Sequence, residues 1–556
     1  MKRFALLMIA CSLLFGGFAQ ENKKTSFDSL GAHKIVKDKS RKILPWYKPD
    51  VPGAAYAHVS KLASEFIKAG TPVDPRTGLP LYLVTCCFEG PHLKTQDAFA
   101  AGKTGEEWMH NPAMTYAGMV HSLVMGYRVY SGDESYIKIV KDMLDYQLQH
   151  GTTPKGWIWP QVPYASSNPF DKKYYGATRW ENDGMRGDGL HGIEPDKVGE
   201  LGYAYLLFYE VTSDTTYLNA ALHCADALSK NIRDIEALTE GEPITDRSPW
   251  PFRVNARNGK IIDEFCSNVV EPVRLLGELL RIQSVIHATP EQATSWKRAH
   301  DMAWHWLYSK GGPMKTYIWN GYFEDVPSDG KQANRNQLTP METARHILRF
   351  PGLDPDIDRT VPALLQWVES AFGTEGMDAI KEQTWCYEPM GSHTARFASI
   401  CALWYERTGN QIYKEKAYRY FNNATYSADP NGVVRVGPTW PSSWFSDGYG
   451  DYIRHFLDGY AAVPEWVPLD QDHVIRSSSA IQKISYKPDA VKLRTFDPKG
   501  AIRIRMATKP KSIIAGSTKL AENKSTDNGW MWTSLAKGGV VDIRYANAQE
   551  ITVSKK

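Results

Sequence analysis

Long basic runs are missing from this chain. Its 65 Lys and Arg are dispersed among 62 Asp and Glu over 556 residues, and the net charge is +3. The clustered positive face of a nucleic-acid binder is therefore excluded. Beyond the first twenty residues no segment approaches the ~20 apolar residues of a membrane helix. The chain has no G-x-S-x-G nucleophile elbow, no phosphate loop or dinucleotide fingerprint, and no H-E-x-x-H zinc motif. "GDGLHG" at 187–192 is none of these. Cysteine is scarce, at seven, and no pair has metal-ligand spacing; Cys86-Cys87 is not a C-x-x-C. Buried free thiols are expected at Cys86, Cys87, Cys224, Cys266, Cys386 and Cys401. Neither a metal nor a cofactor is called for.

What is present begins with a leader. "MKRFALLMIACSLLFGGFAQ" places Lys2 and Arg3 before an apolar stretch and small residues Gly17 and Ala19 at its end. This is the pattern of a secretory signal peptide, residues 1–19, cut after Ala19. The expectation is an exported protein, periplasmic or outer-surface. Cys11 in "LMIAC" is the alternative, as a lipoprotein acceptor.

Most of the remainder reads as amphipathic helix. A signature recurs at Tyr127 ("YRVYSGDESYIKIV"), Tyr209 ("YEVTSDTTYLNAA") and Tyr405 ("YERTGNQIYKEKA"). Each ends an apolar helix, turns, and starts a new helix, with Asp133, Asp214 or Asn410 suited to capping it. A recurring supersecondary unit means a repeat architecture. More polar helices are expected near Ala54, Asp133, Thr215, Pro290, Asp358 and Gln411. More apolar ones are expected near Asn111, Lys197, Asn268, Pro340, Glu388 and Asp447. Their alternation predicts a mainly α fold, an (α/α)6 toroid of inner apolar and outer polar helices over residues 20–463. From 464 to 556 the pattern becomes alternating and β-branched, as in "AIRIRMA" and "GGVVDIRYA", which predicts a small β-sandwich-like module.

Long connections lead only into the inner helices, so they gather at one end of the barrel. Long loops in a compact domain are usually functional, and helix N-termini there favour anions. The loop "WENDGMRGDGLHGIEPDKVGE" (180–200) offers Asp183 and Asp188 in its glycine-rich part, with Arg186 and His191 beside them. Glu194, Asp196 and Glu200 read as helix-start acids. Asn268 and Glu271 stand at the mouth of the next apolar helix, where Ser267 and Glu271 also fit a capping arrangement. Trp319 lies in an aromatic loop. Thr339, Pro340 and Glu342 fit a capping box, and Arg345 and His346 follow. Trp385, Tyr387, Glu388, His393 and Arg396 start another inner helix. Trp444 opens the last.

Six hairpins, aromatic-rich loops and a C-terminal β module resemble the six-hairpin glycosidases. Within them the resemblance is to secreted Bacteroidetes β-glucuronidases and to unsaturated glucuronyl hydrolases. It covers the whole chain as architecture. It implies a glycoside hydrolase acting on uronic-acid-containing oligo- or polysaccharides, exo-acting, with a carboxylate pair. Such chemistry needs two carboxyl groups flanking the bond, one holding its proton near neutral pH. The candidate catalytic set is Asp183, Asp188, Glu271 and Glu388. Arg186, His191, Asn268, Trp319, Arg345, His346, Trp385, Tyr387, His393, Arg396 and Trp444 are candidates for holding the sugar. Two alternatives stay open. One is a polysaccharide lyase, with Tyr387, His393 and Arg396, or Tyr116 with Asn111. The other is a non-catalytic glycan-binding protein. Oligomeric state is left open.

Overall fold

A computed structural model describes residues 29–74, 77–89, 109–169, 171–177, 179, 187–233, 247–321, 334–384, 386–439, 442–523 and 528–555. The leader, Cys11, Asp183, Arg186 and Trp385 lie outside the described residues.

The barrel is built from helices α1 (Ala54–Ala69), α2 (Pro112–Met119), α3 (Tyr136–His150), α4 (Pro195–Thr212), α5 (Thr215–Asn231) and α6 (Val270–Ile282). They are followed by α7 (Pro290–Tyr308), α8 (Leu338–Arg349), α9 (Ile357–Phe372), α10 (Gly391–Thr408), α11 (Gln411–Ala424) and α12 (Ile453–Ala462). The even-numbered helices touch in the order α2, α4, α6, α8, α10, α12, and α12 returns to the π-helical continuation of α2. The inner ring is therefore closed. Each odd-numbered helix packs outside its even partner, and α1 backs α12, so the first helix of the barrel closes the last hairpin.

The two rings follow from composition. In α4 nearly every residue is buried, Pro195–Gly199 and Leu201–Phe208 included. In α3 only Tyr136, Val140, Met143, Leu144 and Gln147 are buried, one stripe at helical spacing. The recurring turns behave as expected for Asp214 and Asn410, which accept from Thr216 N–H and Ile412 N–H. Asp133 differs. It accepts from the N–H and hydroxyl of Ser135, holding the turn one step before the helix.

Two inner segments depart from α geometry. Val120–Tyr127 and Phe445–Gly450 are π-helical. They meet at Gly118 and Gly450, where a Cβ on Gly118 would lie 2.8 Å from the Gly450 carbonyl carbon. Ser122 stitches them, donating to Gly450 O at 2.6 Å and accepting from Arg454 N–H at 3.2 Å. Single-turn π bulges re-aim the residues beyond them; here those residues are Asp451 and Arg454.

The C-terminal strands are β1 (His473–Ser477), β2 (Ile481–Tyr486), β3 (Ala490–Thr495), β4 (Gly500–Met506), β5 (Ser512–Ala515), β6 (Thr518–Leu520), β7 (Gly529–Ser534), β8 (Gly539–Tyr545) and β9 (Glu550–Ser554). They form antiparallel sheets β1-β4-β8-β7 and β2-β3-β9-β5-β6. Val491, Leu493, Ile504, Ile513, Val541 and Val553 fill the space between them. The sandwich seats on the short-turn end of the barrel. His473 stacks on Tyr130 at 3.9 Å, Arg281 of α6 pairs with Asp497 at 2.8 Å, and Glu406 of α10 takes both Nη atoms of Arg476 at 2.6 and 2.7 Å plus Arg503 at 2.5 Å. A bidentate, doubly shared carboxylate is a strong polar contact. Glu406→Ala is expected to cost about 1–3 kcal/mol in urea unfolding, and a loss below about 0.5 kcal/mol would show that the apolar seam alone holds the sandwich.

Candidate active site

At the long-loop end, α4 and α6 come into backbone contact. A Cβ on Gly199 would stand 2.4 Å from Pro272 N, so only glycine fits. The neighbours in sequence of these two residues are Glu200 and Glu271. Glu200 accepts from Lys197 Nζ at 3.0 Å, and Glu271 from Arg274 Nη1 at 2.7 Å. Glu200 is enclosed by protein but keeps 21% of its side chain open to solvent. Burial, opposed by Lys197 and reinforced by Glu271 and Asp196, pushes its carboxyl up to about 7. One acid of this pair thus holds its proton near neutral pH while the other sits against a guanidinium. Asn268, just before the start of α6, accepts from Val270 N–H at 3.3 Å, and its own N–H meets Asp196 at 3.3 Å.

Below this pair the barrel axis is crossed by charge. Glu342 of α8 accepts from Arg396 Nε at 3.0 Å and Arg274 Nη2 at 2.8 Å, with Arg345 and Arg454 each at 3.4 Å. Burial alone would raise its carboxyl; Arg345, Arg454, Arg274 and Arg396 together hold it well below the usual range. Asp451 is held low in the same way, by Arg396 and Arg454 against burial. It pairs with Arg396, and with Arg454 at 2.6 Å. Asp458 closes on Arg345. Four guanidiniums thus meet Glu271, Glu342, Asp451 and Asp458, and the layer is neutral as a whole. Glu342 is not the capping-box residue its spacing suggested. The Thr339 N–H is taken by Asn336 at 3.1 Å, outside the helix start, which frees Glu342 to face the axis.

Donor logic fixes the histidines here. Arginine cannot accept a hydrogen bond. His393 Nδ1, 2.5 Å from Arg396 Nη1, must therefore accept, and the neutral ring carries its hydrogen on Nε2. Burial first, then Arg396, holds His393 well below its usual value, so it is neutral. His393 Nε2 comes no nearer than 4.0 Å to Glu382. Gln337, whose carbonyl oxygen lies 3.5 Å from the same Arg396 Nη1, also has its buried amide nitrogen without a partner. Two N–H donors thus stand beside Arg396, on the helices that follow α6 around the ring. His455 is fixed likewise, accepting from Arg345 at 2.9 Å and donating to Asp451 at 3.2 Å.

Other expected site residues fall elsewhere. Asp188 is fully buried, accepting from Arg253 Nε at 2.8 Å and Ser166 Oγ at 2.5 Å. Arg253 also holds Glu194 at 3.1 Å and Asp263 at 3.2 Å. This sealed cluster clamps 188–194 to strands Pro251–Asn255 and Ile261–Cys266, so Asp188 is an anchor and the glycine-rich loop is fixed there. His191 takes a left-handed φ of 63° and lies edge-on to Trp157 at 4.7 Å. Trp319 is wholly buried, so it offers no face for sugar stacking. Trp444, 8% exposed, sits in a short strand paired with Cys87–Glu89. Glu388 and Tyr387 are exposed; Tyr387 donates to Ala371 O at 2.5 Å and carries Lys381 Nζ at 3.9 Å over its ring. Arg345 and Arg396 belong to the axial layer, and His346 lies beneath it. Of the six described cysteines all but Cys386 are buried. Among the described residues no cluster of His, Cys, Asp and Glu suits a metal ion, and no helix is long and apolar enough to cross a membrane.

Glu200 and Glu342 were expected as helix-start acids rather than site residues, and Arg274, Arg454 and His455 were not singled out at all. A signal for them was available: charged residues inside helices otherwise buried all round must face either the axis or each other.

No family model matches the sequence, and no curated protein matches it. Among solved structures the chain is similar to a cellobiose 2-epimerase from Spirochaeta thermophila, at 11% identity and TM-score 0.49, covering 74% of this chain and 97% of that one. It is similar also to an unsaturated glucuronyl hydrolase specific for heparin, at 12% identity and TM-score 0.39, covering 73% and 96%. A D-mannose isomerase is a third, at 10% identity, TM-score 0.45, covering 74% and 97%. These are similarities of chain path; the (α/α)6 assignment rests on this chain's own closed ring of hairpins.

Proposed function

We propose that the protein is an exported glycoside hydrolase that removes uronic-acid residues from glycan ends, with Glu200 as general acid and Glu271 as its partner carboxylate. The supporting observation is the carboxyl pair at the α4–α6 contact, in which burial lifts the proton affinity of Glu200 to about 7 while Glu271 sits 2.7 Å from an Arg274 guanidinium nitrogen. Glycosidic hydrolysis requires two carboxyl groups, one of which holds its proton near neutral pH. Lys197 and the N–H donors of His393 and Gln337 suit the oxygens of a sugar acid.

Elimination needs a base beside the uronate. Burial pushes the Tyr116 phenol well above its ordinary value, and His393 presents N–H rather than a lone pair, so neither favours the lyase reading. Incubation with a uronic-acid-terminated oligosaccharide is expected to release the free sugar acid without new ultraviolet absorbance. Appearance of that absorbance, the mark of a new double bond, would overturn hydrolysis. Glu271→Gln is expected to lower kcat/KM about 10²–10⁴-fold; unchanged turnover would remove Glu271 from the site.

A further inference from the structure

Beneath the axial charge layer a chamber lies between the inner helices and the sandwich, with a volume of about 1600 Å³. Its walls include His121, Tyr203, Arg274, Arg345, His346 and Arg349. The charge balance of the layer leaves out Arg349. Its guanidinium donates to the Tyr203 hydroxyl at 3.0 Å, a neutral group, and lies 5.4 Å from the Phe350 ring. It is solvent-exposed, and Tyr203 first and then Glu278 hold its charge more firmly, against burial and Arg274. Arg349 is thus a cation facing water at the edge of the chamber. His121 and His346 are both held well below their usual values, by burial first and then by the surrounding arginines. They stay neutral, and each can donate one N–H. His346 is 5% exposed and its buried Nε2 has no partner.

The sandwich anchors to the short helix Arg128–Ser131, to α6 and to α10 through Tyr130, Arg281 and Glu406, whereas Arg349 and Phe350 stand exposed at the end of α8.

We propose that this chamber is a binding site for the oxyanion of a small solute, with Arg349 as its charged anchor and His346 and His121 as neutral donors. A guanidinium at the edge of a concave chamber focuses its field on an entering anion, and its planar fork suits an oxyanion. The site is separate from the Glu200–Glu271 pair and does not depend on the reaction proposed there. Arg274 lies between the two, bonded to Glu271 and Glu342 and lining the chamber.

Isothermal titration of the full-length protein with glucuronate, inorganic phosphate and glucose tests this. One of the two anions is expected to bind below about 10 mM, and glucose is expected not to. Arg349→Gln should weaken that binding at least tenfold, while Glu200→Gln, at the mouth, should leave it intact. Preference for glucuronate or for phosphate tells a sugar acid from a phosphorylated solute. Absence of anion binding by the folded wild type, or binding indifferent to Arg349→Gln and lost in Glu200→Gln, would overturn the proposal. Circular dichroism of Arg349→Gln confirms that the variant is folded before its loss of binding is counted.

Discussion

Replacing Glu342 with alanine is expected to destabilise the barrel by about 3–5 kcal/mol, the cost of breaking a buried ion pair from one side. The carboxylate touches Arg274, Arg345, Arg396 and Arg454, which come from four different inner helices including its own. Its removal strands four guanidiniums around a void, with only Glu271, Asp451 and Asp458 left to answer them. A loss of that size is a large fraction of the 5–15 kcal/mol by which folded domains exceed their unfolded states. Glu342→Gln keeps the volume and two hydrogen-bonding positions and should cost less. The pH dependence separates charge from packing. Because the folded carboxyl is held below its unfolded value of 4.5, its contribution is complete above pH 4.5 and fades as pH falls through the lower folded value. The gap between wild type and Glu342→Gln should therefore be widest at neutral pH and shrink in acid. Glu388→Ala, at an exposed position, should stay within about 0.5 kcal/mol. A Glu342→Ala loss below about 1 kcal/mol, read by denaturant unfolding, would show that the layer is held by packing and water rather than by this carboxylate.

The contrast between these acids marks what a sequence can disclose. Hairpin order, the two rings and the β module were legible because helix periodicity and turn residues repeat along the chain, and each helix is a local object. The predicted starts near Asn111, Lys197 and Asn268 fall close to the observed starts at Pro112, Pro195 and Val270. Which acid faces which partner was not legible, because that depends on closure of the ring. Asp188 sat in the most suggestive loop, yet Arg253, 65 residues away, buries it. Glu200 looked like one more helix-start acid, yet the Gly199–Pro272 contact carries it to Glu271, 71 residues on. Glu342 satisfied a capping-box spacing that the observed helix start, a residue or two earlier than expected, does not use. Pairings at such separations leave no local trace in one sequence. The residue classes did: an acid in a helix buried on every side requires explanation wherever its partner lies.

Glu200→Gln is the variant in which activity and stability should move in opposite directions. As general acid, Glu200 must be protonated, so turnover should decline as pH rises through about 7. Glutamine cannot donate the proton, and the expected loss is about 10²–10⁴-fold in kcat for substrates with poor leaving groups. Activated aryl glycosides, which depart without a proton, should lose much less. The stability sign is the reverse of that for Glu342. A carboxyl whose folded affinity is raised from 4.5 to about 7 binds its proton more tightly in the native state. Its stability is therefore fully present below pH 4.5 and is lost as pH rises through 7. At about 1.4 kcal/mol per unit, ionising it in place costs on the order of a few kcal/mol at pH 8. Glu200→Gln removes that cost. Its melting temperature should exceed that of the wild type at pH 8 and match it near pH 4. The raised Glu200 erodes stability as pH rises, while the depressed Glu342 and Asp451 and the buried neutral histidines, His121, His346 and His393 among them, erode it as pH falls. A stable but inactive Glu200→Gln whose advantage grows with pH identifies an acid kept at the mouth at a cost in stability. Equal melting temperatures at pH 8 would mean that Lys197 already compensates the charge, and that Glu200 is ionised there and cannot be the proton donor.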